Sequence, residues 1–122
     1  MTIETKNAVI ESAKFFADRG LTATLMMDYG DGGHQGFGNY MLYAPKGWSA
    51  HGKCFDACGH FIYRCLQVAG AEDWGKLPGR TVRVRADLGR IYAIGHIVKD
   101  DWFDPEAEFK ALRAVLQPGA TD

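Results

Sequence analysis

The chain lacks most of the features that place a protein in a special class at sight. No apolar run approaches the ~20 residues that a membrane-spanning helix requires. The opening residues, MTIETKNAVIESAKFF, have neither the basic start and apolar stretch nor the small-residue cleavage site of a secretory signal. These absences predict a cytoplasmic protein with no membrane partner. A charge excess is also missing: 14 Lys and Arg stand against 15 Asp and Glu, a net charge of −1. Duplex binders concentrate basic residues, so this balance argues against nucleic acid as a partner of the whole surface. Cysteine is scarce, and Cys54, Cys58 and Cys65 are an odd number that reads as free thiols in a reducing compartment. No repeat, low-complexity tract or linker divides residues 1–122, which read as one domain large enough to bury a core without a disulfide or a metal.

The clearest pattern lies in TVRVRADLGRIYAIGHIV, Thr81 to Val98. Val82, Val84 and Ala86 alternate with Arg83, Arg85 and Asp87, the two-residue period of a half-buried strand. Ile91 to Val98 is nearly continuously apolar, as in a strand covered on both faces. Leu88-Gly89 supplies the turn, with Gly89 expected to take positive φ and open a bulge.

Elsewhere the signals vary in strength. Residues 7–17 fit two templates, with Val9, Ile10, Ala13, Phe16 and Ala17 on a helical face or Ala8, Ile10, Ser12, Lys14 and Phe16 on a strand face. Leu21 to Tyr29 reads as a strand. GDGGHQGFGNY, residues 30–40, holds five of the fifteen glycines and is expected to carry neither a helix nor a long strand. Tyr40 to Ala44 reads as a short strand and Lys46 to Lys53 as loop. Asp56 is a fitting N-cap for a helix ending at Gly70, with Cys58, Phe61, Ile62, Cys65, Leu66 and Ala69 inward and His60, Tyr63, Arg64 and Gln67 outward. Trp74 and Leu77 then plug the end of the core, and Asp104-Pro105-Glu106 opens a last helix reaching about Gln117. The fold expected is α+β: an antiparallel sheet of about five strands, one central helix packed on it and a C-terminal helix.

Chemistry-bearing residues are few. His51, Cys54, Cys58 and His60 are a donor set that suits zinc, but cysteines four positions apart do not have the spacing of a structural zinc hairpin. They read as free thiols, with no metal and no cofactor. A thiolate at Cys54 or Cys58 activated by His34, His51 or His60 lacks any accompanying signature, so no catalytic residue is assigned. The glycine-rich stretch fits neither the P-loop nor the dinucleotide fingerprint. It nonetheless supports an alternative in which Gly33 and Gly36, with Arg80 and Arg90, bind or sequester a nucleotide. The arginine strip reads either as a solvated face or as a docking surface. The contact residues expected for a partner are Arg83, Arg85, His34, Gln35, Trp48 and Tyr63, and the surplus of aromatics leaves room for a homo-oligomer.

The segments Gln35-Gly36-Phe37-Gly38-Asn39-Tyr40-x-Leu42, Gly59-His60-Phe61-Ile62, Trp74-x-x-Leu77-x-Gly79 and Gly95-His96-Ile97-Val98-Lys99-Asp100-x-Trp102-Phe103 together resemble a family of small proteins of tailed phages and prophages. The likeness spans about Ile10 to Pro105, although the Cys54 and Cys58 region departs from the pattern. The resemblance implies a strand at residues 7–17. It also implies a non-enzymatic accessory protein that binds and inhibits a host defence protein, as anti-CRISPR proteins do.

Overall fold

The computed structural model describes residues 2–17, 22–38 and 57–116. In these the chain is α+β. Six strands, β1 (Glu4–Phe16), β2 (Thr22–Asp28), β3 (His34–Gly38), β4 (Thr81–Ala86), β5 (Ile91–Gly95) and β6 (Trp102–Phe103), form one antiparallel sheet in the order β3-β2-β1-β4-β5-β6. Helix α1 (Ala57–Ala69) lies between β3 and β4 in sequence, and α2 (Pro105–Leu116) ends the described chain.

β1 is the long central strand, and its sequence explains why two periods competed. Ala8 and Ile10 point into the core, then the register with β2 slips between Ile10 and Ser12, and Ala13 turns inward. One extra residue, Glu11, thus changes the inward spacing from two to three, which mimics a helical step. The bulge also divides the strand's partners. Glu4 to Val9 pair with β4, while Val9 to Phe16 pair with β2. At the join the Ile10 amide donates to the Arg80 carbonyl at 2.8 Å, and the Gly79 amide donates to the Ile10 carbonyl at 2.7 Å.

The sheet curls around a core of Ala8, Ile10, Leu25, Met27, Phe37, Val82, Val84, Ile94 and Phe103. Its far strands approach one another: Phe37 meets Phe103 at 6.0 Å between ring centroids, and Gln35 Nε2 donates to the Asp87 carbonyl at 2.9 Å. Helix α1 closes the inner side with Phe61, Cys65 and Val68, and the Phe61 ring contacts both Phe37 and Phe103. The helix ends as its sequence predicts. Gly70 takes φ 68° while the Ala71 amide reaches back to the Leu66 carbonyl at 3.0 Å. Asp104 caps α2 by accepting from the Ala107 amide at 3.1 Å. Leu77 is buried and Trp74 half-buried, its ring stacked on Phe15 at 4.6 Å.

Several expectations need correction. Among the described residues the strands number six, because β3 occupies the glycine-rich stretch and β6 lies in a segment that its charges mark as a connection. The glycines of the one and the charges of the other disfavour a strand locally, and each is held as one by pairing with the strand before it, β2 and β5. β5 stops at Gly95: His96 donates to the Asp101 carbonyl at 2.9 Å as the chain turns away, leaving Ile97 and Val98 exposed. Gly89 is not among the positive-φ glycines. Its turn is held instead by Asp87 Oδ1, which accepts from the Gly89 and Arg90 amides at 2.7 and 3.0 Å, so aspartate supplies what glycine was expected to. The expected strand at residues 40–44, the loop at 46–53 and the Asp56 cap lie outside the described residues.

Gly38 is the glycine the fold requires most, since it has φ 119° and an added Cβ would sit 2.2 Å from the Ala23 carbonyl oxygen. Gly38→Ala is expected to lower stability by about 2–4 kcal/mol. Gly36→Ala, whose methyl would meet Thr24 Cγ2 at 3.5 Å and Met26 Cε at 3.9 Å in ordinary contact, should change it by less than about 1 kcal/mol. Urea unfolding of the two variants measures the contrast.

Candidate functional site

Because Val82, Val84 and Ala86 face the core, Arg83 and Arg85 project from the opposite, outward side of the sheet. Across from Arg83 the ladder places Gly95, and across from Gly95 it places Trp102. The indole lies directly over Gly95, where any Cβ would come within 2.6–2.9 Å of three ring atoms. Glycine is therefore what lets the ring lie down on the sheet. Arg83 Cζ stands 4.9 Å and Arg85 Cζ 3.9 Å from the Trp102 ring centroid, and Ala93, opposite Arg85, is buried beneath this layer.

The two arginines are not equivalent. Arg83 is pinned: Nε donates to the His96 carbonyl and Nη2 to the Lys99 carbonyl, both at 2.8 Å. The turn bearing those carbonyls is itself held by His96 Nδ1, which accepts from the Val98 and Lys99 amides at 3.0 Å each. Arg85 is exposed and, among the described residues, has the indole as its one partner. Its guanidinium stands over the ring and makes no hydrogen bond among the described residues.

Behind the ledge, Arg64 fastens β6 to both helices. Its Nη2 donates to Asp101 Oδ1 at 3.0 Å and to the Trp102 carbonyl at 2.7 Å, Nε to Glu108 Oε1 at 3.1 Å, and Nη1 to Gln67 Oε1 at 2.8 Å. Burial opposes the guanidinium charge, but the hydrogen bonds and charges of Asp101 and Glu108 more than offset it. His60 Nε2 lies 2.8 Å from the same Glu108 oxygen. His60 and Arg64, expected on the solvent side of α1, are thus partly covered by α2 and β6. Sequence period along α1 cannot reveal a second layer supplied by a later element.

The remaining expected contact residues scatter. His34 is on the outward side, with Nδ1 2.9 Å from Glu11 Oε2; Asp28 completes a group whose donor atoms lie within 4.8 Å of one another. Gln35 faces inward, accepting from Tyr29 Oη and donating to Asp87, so it serves the fold. Tyr63 is exposed on α1, away from the ledge. Trp48, His51 and Cys54 lie outside the described residues, as does the Cys58 side chain. Of the alternative ligand set, Gly33 and Gly36 flank and join β3, Arg80 precedes β4, and Arg90 lies over the Tyr92 ring at 4.5 Å and reaches Glu106 at 3.4 Å. Shallow cavities of about 260, 270 and 160 Å³ are lined by residues from Thr2 to Leu88, and none of the three gathers these four. Trp102 was missed as a contact residue. Its signal was present, an aromatic one strand away from alternating arginines, but the pairing that unites them is invisible without β6.

Two titrations follow from geometry. The hydrogen bond from Tyr92, followed by that from the Gly89 amide, holds the Asp87 carboxyl below its ordinary range, and the Tyr92 phenol is raised in turn. Asp87 therefore supports the fold above the unfolded carboxylate pKa of ~3.9, and that support is lost as pH falls through the lowered value. Burial pushes the Cys65 thiol far up, which makes it an inert core group.

No family model, curated protein or solved structure matches the chain.

Replacing Arg64 with Met should cost about 2–3 kcal/mol, because two carboxylates and the Trp102 carbonyl lose a common donor while retaining some contact with water. Arg64→Lys should recover only part, lacking the fork that reaches all of them. Denaturant titration gives both values. Alkylation mapped by mass spectrometry should leave Cys65 unmodified at pH 8 until denaturant is added.

Proposed function

We propose that this is a non-enzymatic binding protein whose docking surface is the outward ledge of Arg83, Trp102 and Arg85. One observation carries the reading: Arg85 stands over an indole with no hydrogen bond among the described residues, whereas Arg83 beside it donates to two carbonyls. A guanidinium supported in this way has surrendered much of its rotamer freedom before any partner arrives, and Trp and Arg dominate interface energetics. His34, farther along the same side, belongs to the wider surface, whereas Gln35 leaves the contact set because its amide is spent inside.

The histidines of the described residues are each held by a partner within the fold. His34 pairs with Glu11, His60 with Glu108, and His96 accepts two backbone amides. The finer reading is that of an accessory protein of a phage that occludes a host defence protein, and it rests on the motif resemblance alone. The nucleotide alternative loses Arg90 to Glu106 and Tyr92.

Arg85→Ala should weaken partner binding by about tenfold or more while shifting the melting temperature by less than about 2 °C, since no hydrogen bond of the described fold depends on it. Arg83→Ala should lower stability as well, through two unsatisfied carbonyls. Comparing the proteins retained from host extract by immobilised wild type and by Arg85→Ala tests the ledge; identical retention rejects it. A melting temperature raised by nucleotides would favour the ligand reading instead.

A further inference from the structure

The outward side of the sheet is electrically divided. Arg83 and Arg85 gather around Trp102 at one end, with the exposed Lys99 and Asp100 in the adjoining turn. At the other end stand Glu11 and Asp28, with His34 paired to Glu11 and Lys14 lining the same shallow cavity as Glu11. Between them the ladder sets neutral residues of β1: Thr5 opposite Arg85, Asn7 opposite Arg83, and Val9 between Thr81 and Asp28.

Resting on the docking role of the ledge, we propose that its partner is a protein surface that presents an acidic side chain to Arg85. With its Cζ 3.9 Å over the Trp102 ring and no hydrogen bond among the described residues, the Arg85 guanidinium keeps its N–H groups for a partner, and such a fork grips a carboxylate through two parallel hydrogen bonds. The Arg83 charge adds attraction, while its Nε and Nη2 donate to the His96 and Lys99 carbonyls and hold it in place. The division of charge selects a protein over a nucleic acid. A phosphodiester chain that follows the sheet from Arg85 would carry its negative charges onto Glu11 and Asp28, whereas a protein can place a carboxylate at one end and a neutral or basic group at the other. The chain's net charge of −1 offers no general attraction to compensate a polyanion.

The test is a nitrogen-15 NMR titration of the whole protein with hexaglutamate, hexaserine and hexalysine peptides and a short single-stranded DNA. Hexaglutamate is expected to shift the Arg85 Nε–H, the Trp102 indole N–H and the Gly95 amide, with an affinity that falls as salt rises. Arg85→Gln should weaken this about tenfold, and Glu11→Lys with Asp28→Lys should let the DNA perturb the same three groups. Equal or stronger shifts from hexaserine, hexalysine or DNA in the wild type would overturn the acidic partner while leaving the ledge a docking surface. No shift there from any probe would overturn both. Shifts that depend on protein concentration alone would give the face to a second copy and overturn the proposal.

Discussion

One guanidinium holds the functional side of this molecule in register. Arg64 reaches Glu108 of α2, Asp101 before β6 and the carbonyl of Trp102 within it, so a two-residue strand with few ladder bonds of its own stays where the indole can cover Gly95. An isolated edge pairing that short has little intrinsic persistence. The cation compensates by satisfying acceptors from three elements at once, and its own charge is retained because the two carboxylates outweigh the cost of covering it.

The two sides of the sheet follow from one alternation used in two ways. Inward positions of β1, β2, β4 and β5 supply small and branched side chains, and the large rings Phe37, Phe61 and Phe103 fill the space left by the curl. Outward positions supply arginine, threonine and asparagine, which would ordinarily remain a solvated surface. What turns part of that surface into a ledge is the removal of one side chain. With only hydrogen at Gly95, the indole can lie flat, and a flat indole can carry a guanidinium on its exposed face. The absence of a Cβ on β5 thus sets the posture of two residues on other strands.

Legibility tracked the range of the interactions. The hairpin of β4 and β5, the Gly70 stop of α1 and the Asp104-Pro105 start of α2 were readable because each depends on residues within a few positions of one another. β1 was ambiguous because Glu11 breaks its period midway, and a strand with a bulge is neither template. β3 was hidden by glycines that disfavour a strand until β2 pairs with it, and β6 by the charges around Trp102. Of the contact set, Arg83, Arg85 and His34 share the outward side, Gln35 turned inward by one step of strand parity, and Trp102 joined through a ladder that sequence spacing does not encode.

The sequence by itself determined the α+β class, the helix ends and the outward course of the two arginines, because side-chain parity and capping are local properties of the chain. Only the tertiary structure decided that Arg83 is bound and Arg85 is open, that His60 and Arg64 lie under a second helix, and that an indole from the last strand forms the floor of the ledge. Each of those outcomes depends on which groups meet across long separations in the chain, and that is settled by the packing of the whole core, not by the residues on either side.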